Sequence, residues 1–230
     1  MPIRLLEILH NFAPADILTI SNLEVSQRGE VFHRNQDVTP GQMRELAERL
    51  SSLSGSSSGL HVQLLTEEES ELGYQISVVS SEKRKKGGGH SDMTFEPISS
   101  DYVMLKRKDI RGSPLNQGDS LTAIHPVIRR NVTTGWRSVF VNRGFTRRIN
   151  GVSKDESDVI LQYLFNFANT QARLKWNKNY LVIWDTRSTW HTATINYSEG
   201  RCGNRVCSLG EAPYYDPQSK SRRQAFAEVG

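Results

Sequence analysis

Short apolar and β-branched runs, each closed by glycine, proline or asparagine turn material, recur along this chain, while apolar residues at helical spacing occur in only two places. Runs at 75–80, 102–106, 124–129, 136–142, 180–184, 192–197 and 206–209 read as strands, with a further short one at 29–32. Nothing in their order repeats a strand–helix–strand unit, so antiparallel pairing is expected. Thr39-Pro40-Gly41-Gln42 opens the first helix as a capping box with proline at the first helical position, and Met43, Leu46, Ala47 and Leu50 follow in one stripe. Ser153-Lys154-Asp155-Glu156 is a second capping box, behind which Val159, Ile160, Tyr163, Leu164 and Phe167 recur at helical spacing. The serine- and glycine-rich stretch 51–59 reads as a loop, and the tail from Asp216 as polar. The expected fold is mainly β with flanking helices (α+β), an antiparallel barrel or jelly roll with a few outer helices.

A chain of 230 residues suits one domain with a sizeable core, so residues 1–230 are taken as a single unit. It contains no apolar run of bilayer-spanning length. The apolar stretch near the N-terminus is interrupted by Glu7, His10 and Asp16, with no small-residue cleavage site after it, which argues against a secretory signal. A cytoplasmic address without membrane contact is the expectation. Cys202 and Cys207 are too few for a disulfide framework and lack the paired spacing of a zinc site, so both read as free thiols. The net charge of +4 favours anionic partners, but the basic runs at 83–86, 107–108, 147–148 and 222–223 have no interleaved aromatics to stack bases. They read as solvated loops, and no nucleic-acid partner is expected. A small anionic substrate profits from the same field.

The residues that carry chemistry centre on His90-Ser91-Asp92. In an extended segment that spacing puts imidazole and carboxylate on one face, with Cα atoms about 6.6 Å apart, close enough to chelate one ion. A third ligand from a neighbouring strand would complete a facial triad of two imidazoles and a carboxylate, the set that suits non-haem iron(II) because three adjacent positions stay open. Taken alone, the pair reads at least as well as a structural histidine beside a salt-bridged carboxylate. His125, before a proline at a strand entrance, reads as structural. Gly87-Gly88-Gly89 lacks the lysine and hydroxyl pair of a phosphate loop and reads as a flexible lead-in.

Several blocks supply context for that pair. His90-Ser91-Asp92-Met93-Thr94-Phe95, His125-Pro126-Val127-Ile128-Arg129, Gly135-Trp136-Arg137-Ser138-Val139-Phe140-Val141-Asn142 with Phe145-Thr146, Trp184-Asp185 with Arg187, and His191 with Ala193 occur in this order. Together with Glu156-Ser157 and Gln171-Ala172-Arg173-Leu174-Lys175-Trp176 they resemble the taurine dioxygenase family, over about 90–209. The resemblance implies a double-stranded β-helix and an iron(II)- and 2-oxoglutarate-dependent dioxygenase that hydroxylates a small organic anion, such as the sulfonate taurine, with O2, releasing succinate and CO2. It implies that His90, Asp92 and His191 hold Fe(2+) as the catalytic centre. Arg205 stands where the family grips the far carboxylate of 2-oxoglutarate, with Arg201 as its neighbouring alternative, and Phe145 where an aromatic walls the substrate pocket. Trp184 and Trp190 read as packing around the distal ligand.

Departures from the family are equally visible. The strand with Gly-Gly-Asp-Thr and the helical excursion that usually precede His-Pro-Val-x-Arg are missing, as though part of the family's insert had been deleted between Leu105 and His125. With them goes the threonine that helps the arginine hold 2-oxoglutarate. Gln63 and Leu209 stand where sulfonate-contacting residues are expected. A catalytically impaired relative that binds metal or anion without turnover is therefore the alternative. Loss of a strand exposes sheet edges, which favours a homo-oligomer.

Overall fold

The Thr39 hydroxyl accepts from the Gln42 N–H while the Gln42 side chain accepts from the Thr39 N–H, and the helix α2 (Pro40–Leu53) runs from that reciprocal cap. The structure is a computed structural model that describes residues 21–56, 59–60, 75–80, 122–167, 175–191 and 202–228. Its other helices are α1 (Asn22–Arg28), α3 (Lys154–Phe167) and α4 (Arg222–Ala227). The strands are β1 (Glu30–His33), β2 (Ile76–Ser80), β3 (Ile128–Arg130), β4 (Arg137–Val139), β5 (Leu181–Trp184) and β6 (Cys202–Val206).

Among the described residues the three strand pairs are antiparallel, as the sequence pattern leads one to expect: β1 with β5, β2 with β6, and β3 with β4. In the first pair Val31 lies opposite Ile183 and Glu30 opposite Trp184. Strand alternation then separates a buried face, with Val31 and Ile183, from a half-buried face, with Glu30, Val182 and Trp184. The buried face meets Leu46 and Leu50 of α2, Val25 of α1 and Cys207, which together form the apolar core. Burying side chains of this kind contributes about 1.5–3 kcal/mol each. An apolar cavity of about 60 Å³ remains between α2, β5 and β6, lined among others by Met43, Leu46, Ile183, Trp184 and Val206.

The expected strands at 124–129 and 136–142 form shorter than read. Ile124 is 82% exposed, and pairing begins only at Ile128, opposite Val139. Phe140 and Val141 are buried beyond the ladder, so their apolar character reflects packing rather than strand pairing. The last strand is displaced from 206–209 to Cys202–Val206 because β2 supplies its partner there, while Ser208 makes an isolated bridge to Leu60. The stretch 51–59 is not all loop: α2 continues to Leu53, and Ser51 is buried with its hydroxyl donating to the Leu209 carbonyl, 3.1 Å.

Helix α3 forms from its capping box, with the Ser153 N–H donating to Glu156 at 2.8 Å and the Glu156 N–H donating back to the Ser153 hydroxyl at 3.3 Å. Its inward face, however, is Ser157 and Leu161, and the apolar line Val159, Tyr163 and Phe167 is exposed. The polar tail carries α4, opened by a Ser221–Gln224 capping box, with Phe226 packed on Trp136 and Arg222 stacked over both rings. Arg222 is therefore on a helix, not in a solvated loop. Among the described residues no helix is long and apolar enough to cross a membrane. Both cysteines are free thiols, Cys202 exposed and Cys207 buried. The strands expected at 102–106 and 192–197 lie outside the described residues.

Candidate functional site

Strand β5 ends in Trp184, and the chain turns sharply over Asp185–Thr189 before reaching His191. The Ser188 and Thr189 N–H groups both donate to the Asp185 carbonyl, and so does the Thr189 hydroxyl, at 2.7 Å. This turn returns His191 against the strand it left: its ring centroid lies 5.0 Å from that of Trp184. Arg205 arrives from β6, a strand of a different sheet, with its guanidinium carbon 5.4 Å from the Trp184 ring centroid. A cation over an indole face is attracted by the ring quadrupole, an effect on the order of 0.5–1 kcal/mol where exposed and more where desolvated. Trp184 thus carries both an imidazole and a guanidinium against its ring.

What holds the turn is a buried polar cluster. The Asp185 carboxylate accepts from the Arg187 Nε at 2.8 Å, the Arg187 Nη2 at 2.8 Å, the Arg187 backbone N–H at 3.0 Å and the Asn131 amide at 3.0 Å. The Ser26 hydroxyl of α1 donates to the same carboxylate. Burial alone would raise the Asp185 pKa, but the Arg187 charge and the hydrogen bonds from Arg187, Ser26 and Asn131 outweigh it and hold the carboxyl below its ordinary value. Arg187 in turn lies 3.6 Å from Glu211, which also pairs with the fully buried Arg129. Desolvation pulls Arg129 below the usual arginine value, with Glu211 opposing. The Ser138 hydroxyl donates to the Arg187 carbonyl at 2.9 Å, tying β4 to the same loop.

A glycine completes the clamp. Gly29 leaves α1 with φ +86°, and a Cβ there would meet the Thr189 methyl at 2.7 Å. Both its backbone conformation and its lack of a side chain are needed for the turn to approach. Its carbonyl accepts from the Asp185 N–H, at 2.8 Å.

Of the residues singled out from the sequence, the structure brings His191 and Arg205 together across Trp184. His90 and Asp92 lie outside the described residues, as do Arg201 and Gln63. Phe145 occupies a half-buried turn in which its N–H and that of Thr146 donate to the Asn142 carbonyl. His125 stacks edge-on against Phe140, 5.6 Å between centroids, in keeping with a structural role. Leu209 is buried, and its N–H donates to the Gly59 carbonyl, so no charge stands at that position. Sequence reasoning missed the Asp185–Arg187–Ser26–Asn131 cluster. The available signal was a charged pair directly after an apolar strand, at a place where solvent exposure would be the ordinary outcome.

Among the described residues no three histidine, cysteine or acidic side chains are grouped to hold a metal, two of the three expected ligands being outside that set. The described part of the site still fits an iron-bound 2-oxoacid by the chemistry of its donors: a half-buried imidazole for the metal and, against the same indole ring, a guanidinium fork for a carboxylate.

Comparison with known proteins adds to this geometry. A family model described as "Taurine catabolism dioxygenase TauD, TfdA family" matches residues 106–207. The alpha-ketoglutarate-dependent dioxygenase btcD of Neocamarosporium betae is 30% identical over an alignment 295 positions long, covering 91% of this chain and 86% of the relative. An alpha-ketoglutarate-dependent sulfonate dioxygenase of Saccharomyces cerevisiae is 33% identical over 42% of this chain and 25% of its own length. The crystal structure of a taurine dioxygenase from Burkholderia xenovorans superposes with a TM-score of 0.65 at 18% identity, covering 92% of this chain and 85% of that one. The fold is therefore that of the taurine dioxygenases, a jelly roll.

Proposed function

The chain belongs to the alpha-ketoglutarate-dependent dioxygenases of the taurine dioxygenase family, and from that premise we propose that, as a single domain, it hydroxylates a small organic anion, a sulfonate such as taurine, at an iron held by His90, Asp92 and His191. The observation that carries this reading is that His191, beyond the turn that follows β5, and Arg205, on β6, both lie against the Trp184 ring, at 5.0 and 5.4 Å. Iron in that place supplies the activation of O2 that couples oxidative decarboxylation of 2-oxoglutarate to hydroxylation, with succinate and CO2 released.

The chain's own residues prepare that chemistry in separable ways. His191 would hold the metal through its imidazole, and the Asp185 clamp fixes the turn that carries it. Arg205 binds the far carboxylate of 2-oxoglutarate through two charge-assisted hydrogen bonds. Trp184 covers one side of both and keeps water from the guanidinium, which strengthens its pairing. Phe145 walls the substrate side. The sulfonate reading is supported by the net charge of +4 and by relatives whose names include sulfonate dioxygenase. Buried Leu209 supplies no charge to the anion, so a panel of sulfonates and carboxylates is the proper substrate test.

Arg205→Ala should weaken 2-oxoglutarate binding roughly 10- to 100-fold, the loss of a charged hydrogen-bonded pair. Anaerobic titration measures it, and unchanged affinity removes Arg205 from the role.

One observation favours a second reading. The alignment with the Neocamarosporium enzyme is 295 positions long, whereas this chain has 230 residues in all, so the relative carries segments without a counterpart here. We place the shortening between Leu105 and His125, where it removes the threonine that assists Arg205. A shortened relative of this kind binds 2-oxoglutarate without turnover. Succinate release in air, with iron and ascorbate, distinguishes the two: the enzyme produces it, the non-catalytic relative does not.

A further inference from the structure

The Trp184 indole N–H is buried, and among the described residues it has no hydrogen-bond partner. Indole nitrogen only donates, so a buried one without an acceptor costs roughly 1–3 kcal/mol, and such groups are uncommon in native folds. Its surroundings sharpen the question. Among the described residues His191 and Arg205 lie against its ring, and guanidinium, like indole, offers donors and no acceptor. Glu30 is its cross-strand neighbour and carries an acceptor, yet the indole makes no bond to it. A buried N–H donor on a ring that also carries a guanidinium complements an oxyanion.

We propose that the Trp184 indole N–H donates to a carboxylate oxygen of the 2-oxoacid gripped by Arg205, which makes Trp184 a co-substrate-binding residue as well as a wall. The inference rests on the reading of Arg205 given above. It assigns Trp184 two separable contributions: the ring stacks with Arg205 and His191 whether or not an acid is bound, and the N–H is satisfied only when one is.

The test uses the full chain loaded with Fe(II) under anaerobic conditions and titrated with 2-oxoglutarate. Two variants are compared with the wild type: Trp184→Phe, and site-specific replacement of Trp184 by 3-benzothienylalanine, which keeps the bicyclic shape and removes the N–H. Affinity should fall about 10-fold in both, the scale of one hydrogen bond to a charged acceptor. Without 2-oxoglutarate the benzothienyl protein should melt no lower than the wild type, because the group removed is one left unsatisfied in the free protein. A purely structural role for Trp184 would lower melting temperature and affinity together. Equal affinity of wild type and benzothienyl protein overturns the inference and leaves the N–H to solvent water. Failure of the wild type itself to bind 2-oxoglutarate overturns the reading of Arg205, and this inference with it.

Discussion

Helices α2 and α3 are both fourteen residues long, and both open on a reciprocal capping box, Thr39 with Gln42 and Ser153 with Glu156. Both carry apolar residues at helical spacing. Yet α2 buries Leu46, Ala47 and Leu50 against the strands, whereas Val159, Tyr163 and Phe167 of α3 are 70%, 62% and 66% exposed. Local code thus decides that a helix forms and where it starts, and the rest of the molecule decides which side is covered. For α2 the covering partner is the face of β5 presenting Leu181 and Ile183. For α3 the attachment lies elsewhere on the helix: the Ser157 hydroxyl accepts the Ile149 N–H at 2.8 Å, and Arg143 stacks over Phe165.

The largest expected effect comes from the polar cluster against which both helices can be calibrated. Asp185→Ala takes from buried Arg187 the carboxylate it donates to, with only Glu211 left at 3.6 Å, and should cost about 3–5 kcal/mol in denaturant unfolding. A loss below about 1 kcal/mol would mean that the clamp does not hold the turn. The pH dependence has the matching sign. Because the folded Asp185 pKa lies below its unfolded value of about 3.9, its contribution is fully present above that pH. It disappears as pH falls through the folded value. Asp185→Asn should therefore flatten the acid limb of the stability profile, and an unchanged limb would assign acid unfolding to other groups.

Next in size are the helices themselves. Leu50→Ala opens a void in a well-packed place and should cost about 2–5 kcal/mol, whereas Tyr163→Ser on the exposed line of α3 should stay within about 0.5 kcal/mol. Chemical denaturation of the two variants side by side reads the difference. A Tyr163→Ser cost as large as that of Leu50→Ala would show that the α3 line is covered in solution and would end the contrast between the helices.

Much of this architecture was legible because it is local. Capping boxes, proline at the first helical position and the apolar runs at 29–32, 75–80 and 180–184 locate the starts of α2 and α3, and β1, β2 and β5, to within a residue or two. Features set by distant partners were not. Cys202-Gly203-Asn204-Arg205 has little strand propensity and pairs because β2 lies beside it. The α4 helix is six residues with a single apolar anchor, Phe226, too short for periodicity to register. Periodicity does not announce the covered face of α3, because small, polar Ser157 sits at its centre beside Leu161.

The candidate site divides along the same line. His191 and Arg205 were named through resemblance, and their meeting on Trp184 depends on a turn no local pattern announces. The Asp185 cluster draws on Ser26, Asn131 and Arg187, which only tertiary structure assembles. His90 and Asp92 remain proposals from spacing and resemblance.

In the function proposed above, His191 completes an iron site and Arg205 grips the co-substrate carboxylate. Anaerobic addition of Fe(II) and 2-oxoglutarate to the wild type and to His191→Ala tests it most directly, read by the visible metal-to-ligand absorption of the chelate. The wild type should develop the band, and His191→Ala should fail to develop it at the same concentrations while keeping its fold by circular dichroism. A band of equal strength and affinity in His191→Ala would contradict the account.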